Sequence, residues 1–497
     1  MNRAPATASR TAGIVGAAFL AVYGALTAVS LSGAGLWRDE IATRIFSALS
    51  PTQLWRATGH VDSVLRGYYL FIHYWRVFGD GPVALRFPSW IAGGAIVLLI
   101  VRAAATAWGT AAGVIAGAYL LLNAQFLYWA TTARSYALVM LLMVAATLQV
   151  DSRTARKTSR GRVLTYLLAT SAAVLLQPLA VLVVLAQLVV VLVTRASRDD
   201  SRIAAVTVVP IAAAGLLLVA SRSQQRQAEL ARGGSVRGAL RVMNTLVGGT
   251  GVGALVLVAV GVSALVQVRR RCLDRLWLMG LALLAIPMAG LFVLSRMTGL
   301  ELLERYNLMA TGAFALVLGG GTALGLSAVS GTTRWVSVVL VIGLVASISY
   351  PRAHAMVTGR VRTDDYASAV AYLRTHAHRG DLILLNQTYR SGGFAAGFAY
   401  YARDGAFSSF VERALTSGGE PDVYARTVLR PAPLTTAAYR SAAGPAGRVW
   451  YATFLPRPSR THLPSPVTSV CPRARADVSS RFGDITLLGI SCSPAGR

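Results

Sequence analysis

Long apolar runs, each about as long as a membrane is thick, constrain this chain most. A helix of about 20 apolar residues crosses the hydrocarbon core of a bilayer, which is about 30 Å thick. Of the 497 residues 55% are hydrophobic, and the mean hydropathy is +0.55. The sequence therefore predicts a polytopic α-helical membrane protein with about eleven transmembrane helices. The predicted spans are 11–31, 83–102, 110–130, 134–150, 163–176, 178–194, 203–221, 245–268, 276–295, 306–327 and 335–350.

The apolar stretch 163–194 is too long for one span. As a single helix its 32 residues would extend about 48 Å. We predict instead a hairpin that turns at Gln177-Pro178, since both ends then carry arginines on the same side of the membrane.

Basic loops set the predicted orientation. The net charge is +28, and much of it falls in short loops between apolar runs, so membrane orientation explains it better than nucleic-acid binding. The N-terminus is predicted to be cytoplasmic, and the loop 32–82 and everything after 350 extracytoplasmic. Lys157 is the single lysine, which is typical of a GC-rich bacterial genome, so we expect a multi-pass protein of a bacterial plasma membrane. One predicted outer loop, 221–244, departs from this rule because it carries five arginines and one acid, Glu229. Binding of an anionic ligand would account for this departure.

The composition changes at about Pro351 to mixed polar sequence. Two domains are therefore predicted: a transmembrane bundle over 1–350, with the loop 32–82 as its catalytic first external loop, and an extracytoplasmic α/β domain over 351–497. Asp364 or Asp365 is predicted to cap its first helix, and strands are expected at DLILLN, RVWYATF and ITLLGI.

Two cysteines, Cys471 and Cys492, fall in the predicted outer domain. This is the oxidising side of the membrane, where disulfides persist. We predict a disulfide between them that contributes about 3 kcal/mol to stability.

The loop from Trp37 to Trp75 contains several acidic and aromatic residues. This composition is typical neither of a transmembrane helix nor of a simple connecting loop. Asp39 and Glu40 follow the first span closely, and such carboxylates can act as a general base or join a metal site. The alternative is that Asp39 caps a helix. His60 and Asp62 form a second polar pair, with an ordinary loop histidine and aspartate as the alternative. These four residues leave a divalent metal open; no other cofactor is predicted.

Three arginines lie at the predicted outer ends of spans: Arg86, Arg134 and Arg305. Forked guanidinium donors that stay charged suit a phosphate. Each could instead extend towards lipid phosphates, and Glu301 and Glu304 could pair with Arg305. Aromatic side chains accompany them as substrate-binding candidates or as interfacial anchors. The aromatic candidates are Tyr68, Tyr69, Tyr136 and Tyr306.

Five motifs together resemble the GT-C superfamily of membrane glycosyltransferases. They are WRDE, the H-x-D before YYLFIHYW-x-x-FG, LRFPSW, ARSYAL and ERYNLMATGAFAL. The chain is most similar to the bacterial branch of the protein O-mannosyltransferase-like family, glycosyltransferase family 39. The resemblance implies a many-spanning bundle, Asp39 as the essential loop acid with Glu40 its neighbour, and Arg86 as the arginine at the outer end of the second span. His60-Val61-Asp62 departs from the His-Pro pair of many relatives.

The resemblance also implies a polyprenyl-phosphate-linked sugar as donor. We expect transfer of that sugar to an acceptor hydroxyl on a protein or glycan, with inversion, on the extracytoplasmic face. Mannose is favoured because the nearest family uses it, with arabinose second. Asp39 would take the acceptor proton, and arginines such as Arg305 and Arg86 would bind the lipid phosphate. Membrane lipid is the other expected partner, and nucleic acid is not one.

Two other classes of protein stay open. A non-catalytic membrane anchor could carry the 351–497 domain for cell-envelope binding. A secondary transporter would more often show ionisable residues or broken helices at mid-membrane, and the predicted spans contain almost no interior charge.

Overall fold

The computed structural model of the chain describes most of its length. The described residues are 6–33, 35–59, 62–151, 159–194, 197–221, 235–271, 273–298, 302, 304–329, 331–358, 364–378, 381–385, 394–401, 415–416, 448–453 and 474–492.

Helices dominate the described ranges. The α-helices are α1 (Ala6–Ser32), α2 (Arg38–Ala48), α3 (Pro51–Ala57), α4 (Arg66–Trp75), α5 (Pro82–Trp108), α6 (Thr110–Leu122), α7 (Ala124–Ala130), α8 (Tyr136–Val150), α9 (Ser159–Leu176), α10 (Val181–Val193), α11 (Arg198–Val206), α12 (Val208–Ala220), α13 (Val236–Val247), α14 (Thr250–Arg269), α15 (Arg275–Thr298), α16 (Met309–Gly325), α17 (Gly331–Val357), α18 (Tyr366–His376) and α19 (Phe394–Tyr401). Short 3-10 turns lie at Ser63–Leu65, Arg76–Phe78, Pro178–Ala180, Glu304–Asn307 and Leu326–Ala328. The strands are β1 (Leu382–Leu385), β2 (Leu415–Thr416), β3 (Arg448–Thr453), β4 (Ala474–Phe482) and β5 (Ile485–Cys492).

A helix or a pair of helices lies on every predicted apolar run. Within the described ranges, six helices are long and apolar enough to cross a membrane, and a seventh span results if α6 and α7, bent by 70° at their junction, are counted together. α8, α16 and the segment 178–193 are shorter apolar helices. The class of polytopic helical membrane protein is confirmed, whereas the count of eleven crossings stays a prediction.

The predicted hairpin over 163–194 has its break at Gln177. α9 ends at Leu176, and Gln177 has an extended backbone, with φ −160° and ψ 106°, before the 3-10 turn that opens at Pro178. Proline lacks an N–H and disfavours helical backbone in the residue before it. The break therefore follows directly from the Gln-Pro sequence.

The chain forms two compact units, and each unit combines two separate stretches of the sequence. One comprises Met1–Ser32 and Thr58–Arg360; the other comprises Gly33–Ala57 and Val361–Arg497. The helix α17 continues through Pro351 to Val357. The assignment of functional domains at residue 350 stays a prediction, and the two units are described separately below.

Small residues let helices of the first unit approach closely. In α16, a Cβ added at Gly319 would lie 2.6 Å from the carbonyl oxygen of Ala112 in α6, and one at Gly321 would lie 2.7 Å from that of Ala259 in α14. Close backbone approach at small residues is a common basis of helix packing in membranes. α16 is therefore packed between α6 and α14.

The second unit contains a five-stranded mixed sheet in the order β2-β1-β3-β5-β4. β2 and β3 pair parallel with β1, whereas β5 pairs antiparallel with β3 and β4. Asp365 caps α18, accepting the amide of Ser368 at 3.0 Å. The strands predicted at DLILLN, RVWYATF and ITLLGI correspond to β1, β3 and β5, whereas β2 and β4 were not predicted. The role and outer location of this domain stay predictions.

The predicted disulfide involves a residue outside the described ranges, Cys471. Cys492 ends β5, where its backbone pairs with Ala474 at the start of β4. The disulfide stays a prediction.

Candidate active site

The predicted acid pair lies in the first turn of α2, in the second unit. The N-cap residue is Trp37, with a β-region backbone. Glu40 is fully buried, and its Oε2 accepts the amide of Trp37 at 3.3 Å. A glutamate three residues after the N-cap can satisfy a backbone N–H that the helix leaves unpaired. Glu40 therefore takes part in capping the start of α2, and the role of Asp39 stays a prediction.

Asp39 lies beside an arginine that also contacts another carboxylate. Its side chain is 16% exposed, and its Oδ1 lies 3.9 Å from Nε of Arg38. The same Nε lies 3.8 Å from Oδ2 of Asp364, and the backbone amide of Arg38 donates to that oxygen at 3.4 Å. Arg38 thus links the start of α2 to the segment that precedes α18. The Asp39 carboxylate is partly accessible, as a general base requires.

Two tyrosines of α19 hold the segment around α2. The Leu36 amide donates to the Tyr401 hydroxyl, and the guanidinium carbon of Arg44 lies 4.9 Å from the centre of the Tyr400 ring. A Cβ at Gly35 would lie 2.6 Å from the Tyr401 hydroxyl oxygen. The segment that carries the acid pair is therefore packed within the unit of the C-terminal residues, a pairing that no sequence signal indicated.

In the first unit, Asp62, Tyr69 and Arg134 form one hydrogen-bonded group, here called the Tyr69 chain. The Tyr69 hydroxyl donates to Oδ2 of Asp62 at 2.9 Å and accepts from Nη1 of Arg134 at 3.0 Å. Asp62 has a left-handed backbone, with φ 55°, which is uncommon for residues other than glycine. Tyr69 is fully buried and Arg134 is 5% exposed. Three of the predicted site residues are thus brought together from separate elements.

The Tyr69 phenol is held in its neutral form. Burial, reinforced by the negative charge of Asp62, raises the pKa of Tyr69 well above its ordinary value, although Arg134 acts in the opposite direction. A neutral phenol can donate to a carboxylate and accept from a guanidinium at once. The Tyr69 chain therefore joins an anion and a cation through one protonated hydroxyl. Tyr68, also fully buried, has its ring centre 6.2 Å from that of Tyr69.

Arg86 lies in the first turns of α5 and is fully buried. Its Nη1 donates to the carbonyl oxygen of Leu31 at 2.9 Å, near the end of α1. Carbonyl groups in the last turn of a helix have no partner within the helix, and a cation there is favoured by the helix dipole. Arg86 therefore stabilises the junction of α1 and α5, whatever else it binds.

Arg305 lines a small recess in the first unit, here called the Arg305 recess. Its guanidinium carbon lies 5.6 Å from the centre of the Tyr306 ring. The recess brings together three predicted site residues, Arg305, Tyr306 and Tyr136. The complete lining is Tyr136, Val139, Gln177, Leu179, Ala180, Val183, Pro287, Arg305, Tyr306, Leu308 and Met309.

An apolar cavity adjoins the Arg305 recess. Both are lined by Val183 and Met309, and the apolar cavity continues between Met140, Met143 and Leu283. A guanidinium and two tyrosine rings thus lie beside apolar side chains, the chemistry that an anionic head and a hydrocarbon tail require. Gln177 was not predicted as a site residue; its signal was a polar residue before proline within an apolar run.

The remaining predictions concern metal binding and His60. His60 lies outside the described residues. In the part of the chain that the structure describes, no three or more His, Cys, Asp or Glu side chains group so as to hold a metal ion. Asp39 and Glu40 lie in one unit and Asp62 in the other, so a metal role for these residues stays untested.

Comparison with solved structures shows that the chain shares its helical fold with the protein ArnT. ArnT from Cupriavidus metallidurans, bound to undecaprenyl phosphate, matches with a TM-score of 0.56 and 15% identity over 95% of this chain and 97% of ArnT. The apo state of the same protein matches with a TM-score of 0.56 and 14% identity over the same shares. The fold of this chain is thus shared with ArnT, whereas membership of the GT-C superfamily and of its mannosyltransferase-like branch stays a prediction.

Comparison at the level of sequence finds no relative. No protein-family model matches the chain, and no curated protein matches it. The arabinosyltransferase EmbB from Mycobacterium smegmatis matches with a TM-score of 0.42 and 15% identity, over 75% of this chain and 44% of EmbB; this likeness is too low to support a shared fold.

Proposed function

We propose that the chain is a glycosyltransferase that moves a sugar from a polyprenyl-phosphate donor to an acceptor hydroxyl on the extracytoplasmic face of a bacterial plasma membrane. The observation that carries the proposal is the Arg305 recess with its adjoining apolar cavity. A phosphate head needs a cation, and a prenyl tail needs apolar side chains beside that cation. The fold shared with ArnT, which was solved with undecaprenyl phosphate bound, supports the same donor class.

Arg305 is proposed as the donor-phosphate ligand. A guanidinium offers planar donors that pair with phosphate oxygens and stays charged when partly desolvated. As the bond from the anomeric carbon to the phosphate oxygen breaks, negative charge grows on that oxygen, and a positioned cation stabilises it. Tyr136 and Tyr306, in the same recess, offer ring faces and hydroxyl groups to the sugar or the phosphate. Arg134 and Arg86 are proposed as supporting cations.

Asp39 is proposed as the general base. It accepts the proton of the acceptor hydroxyl, whose oxygen then bonds to the anomeric carbon on the face opposite the lipid phosphate, so that the configuration is inverted. The partly exposed carboxylate of Asp39 fits this role better than that of Glu40, which is buried and accepts a backbone amide. Mannose is the favoured sugar and arabinose the second; the acceptor is a protein or glycan hydroxyl.

The test is donor turnover by the full-length protein in proteoliposomes. Polyprenyl-phosphate donors carrying labelled mannose or arabinose are supplied, and the release of the free lipid phosphate is measured. Turnover of one donor that is lost in Asp39→Asn and in Arg305→Ala is the expected result. A folded protein that binds neither donor would contradict the proposal. That result would favour a membrane anchor or a secondary transporter.

A further inference from the structure

We propose that α13 is an interfacial helix whose arginines bind the headgroups of anionic phospholipids. α13 follows the part of loop 221–244 that lies outside the described residues, and it leads directly into α14, a helix long and apolar enough to cross a membrane. α13 therefore lies at one membrane face. This surface is distinct from the Arg305 recess and does not depend on the proposed transfer reaction.

The turn after α13 separates this helix from the membrane-spanning helix α14. Gly248 and Gly249 have φ values of 100° and 123°, backbone that residues with a Cβ rarely adopt. The amide of Gly249 returns to the carbonyl oxygen of Asn244 at 2.9 Å. α13 thus ends in a glycine cap and does not run on into α14 as one rod.

One side of α13 is fixed to the helix bundle. Val242, Leu246 and Val247 are buried. The carbonyl oxygen of Leu246 accepts the side-chain amide of Asn123 at 2.8 Å, and the Tyr119 hydroxyl donates to the carbonyl oxygen of Val247 at 3.2 Å. α13 therefore has a defined orientation on the first unit.

The other side combines arginines with apolar residues. Val236 and Leu240 are each 65% exposed, and Arg237 and Arg241 are exposed beside them. Each pair is spaced i, i+4, so the two pairs form neighbouring stripes along the helix. Among the described residues no carboxylate pairs with either arginine, and α13 itself contains no acid.

A bilayer surface containing anionic lipid is the occupant that this pattern fits. Helices of this kind lie in the interface with apolar side chains among the acyl chains and basic side chains at the headgroups. Leu257 and Val258 of α14 are 72% and 63% exposed, so a lipid-facing surface follows directly after the cap. Headgroup binding also explains why this loop carries arginine on the predicted outer side, where the positive-inside rule disfavours it.

Phosphatidylglycerol binding to the purified full-length protein in detergent tests the proposal, with phosphatidylcholine as the neutral competitor. R237Q/R241Q should weaken phosphatidylglycerol binding roughly tenfold, since each basic residue contributes near an anionic surface. R237K/R241K keeps the charge and should retain most of the binding. R374Q/R481Q removes the same charge from exposed positions of α18 and β4, together with the bonds of Arg374 to the Tyr401 carbonyl and of Arg481 to Asp484, and should leave phosphatidylglycerol binding unchanged.

Three outcomes would overturn the proposal. The first is unchanged phosphatidylglycerol binding in a folded R237Q/R241Q protein, and the second is an equal loss in R374Q/R481Q. The third is that a soluble polyanion such as heparin binds through Arg237 and Arg241 while phosphatidylglycerol does not, which would indicate a macromolecular ligand. None of these measurements requires sugar transfer. The lipid-binding result can therefore be interpreted even if the proposed enzyme activity is absent.

Discussion

Arg86 and Arg305 were predicted for the same phosphate, and the fold uses them differently. Arg86 is buried at the junction of α1 and α5 and donates to the carbonyl oxygen of Leu31. Arg305 stacks on Tyr306 and lines a recess beside an apolar cavity. Two arginines with similar positions in the sequence pattern can thus differ in whether they bind a helix end or line a recess.

The first turn of α2 repeats this contrast between adjacent acids. Glu40 is buried and accepts a backbone amide of its own helix start, whereas Asp39 is partly exposed beside Arg38. In both pairs one residue is fully buried in a structural contact, whereas the other lines a recess or is partly exposed. Substitutions that preserve shape can separate the two roles.

The largest effect is expected from Asp39→Asn. If Asp39 is the base, the amide cannot accept the proton, and kcat for transfer should fall 10²–10⁴-fold, roughly the contribution of general-base catalysis. Glu40→Gln is the matched control, because glutamine at this position can still accept the Trp37 amide, and it should stay within about threefold of wild type. An equal loss in both variants would remove the distinction between the two acids.

Arg305→Ala should weaken donor binding about thirtyfold, as expected for a lost hydrogen bond to a charged group, with little change in thermal stability. Arg86→Ala should instead destabilise the protein by about 2 kcal/mol, because the Leu31 carbonyl loses its charged donor. Donor titration and detergent thermal unfolding on both variants measure the two effects. A donor affinity that falls in Arg86→Ala and not in Arg305→Ala would reverse the assignment.

Tyr69→Phe should lower transfer about tenfold, because Asp62 and Arg134 lose the hydroxyl that joins them, a net loss of about one hydrogen bond. The pKa of the Tyr69 phenol is raised, so it stays protonated through the pH where free tyrosine ionises, near 10. The ratio of wild-type to Tyr69→Phe activity should therefore be constant from pH 9 to 11, where a phenol of ordinary pKa would lose most of its protons. A ratio that falls steadily over this range would show that the hydroxyl ionises there and would contradict the neutral phenol.

The smallest effect on transfer is expected from replacing Cys471 and Cys492 with serine. Activity at low temperature should change less than twofold, while the free energy of unfolding falls by about 3 kcal/mol if the disulfide forms. Thermal unfolding with and without reductant checks this. Wild-type and double-variant proteins that unfold identically in the oxidised state would argue against the disulfide.

The elements predicted correctly from the sequence are those that depend on residues close together in the chain. Apolar runs marked the helices, Gln177-Pro178 marked the break between α9 and α10, and Asp365 was one of two residues predicted to cap α18. The strand β4 was missed because its sequence, ARADVSSRF, is mostly polar. It lies at an edge of the sheet, where many side chains face solvent and need not be apolar.

The site was predicted only in part because its contacts join distant residues. Sequence indicated that Tyr69, Arg134 and Asp62 could bind substrate, yet not that they bond to one another. The contact of Arg86 with Leu31 spans 55 residues, and that of Leu36 with Tyr401 spans 365. Such pairings depend on tertiary packing, which neither periodicity nor spacing reveals.

The grouping of residues 33–57 with 361–497 affects how the protein could be shortened or recombined. The chain passes between its two units three times, near residues 32, 57 and 360. A protein truncated after α17 would keep α2 while losing Asp364, which contacts Arg38, and Tyr401, which contacts Leu36. The C-terminal region is therefore no detachable appendage, and gene fusion or loss at a single junction would divide a folded unit.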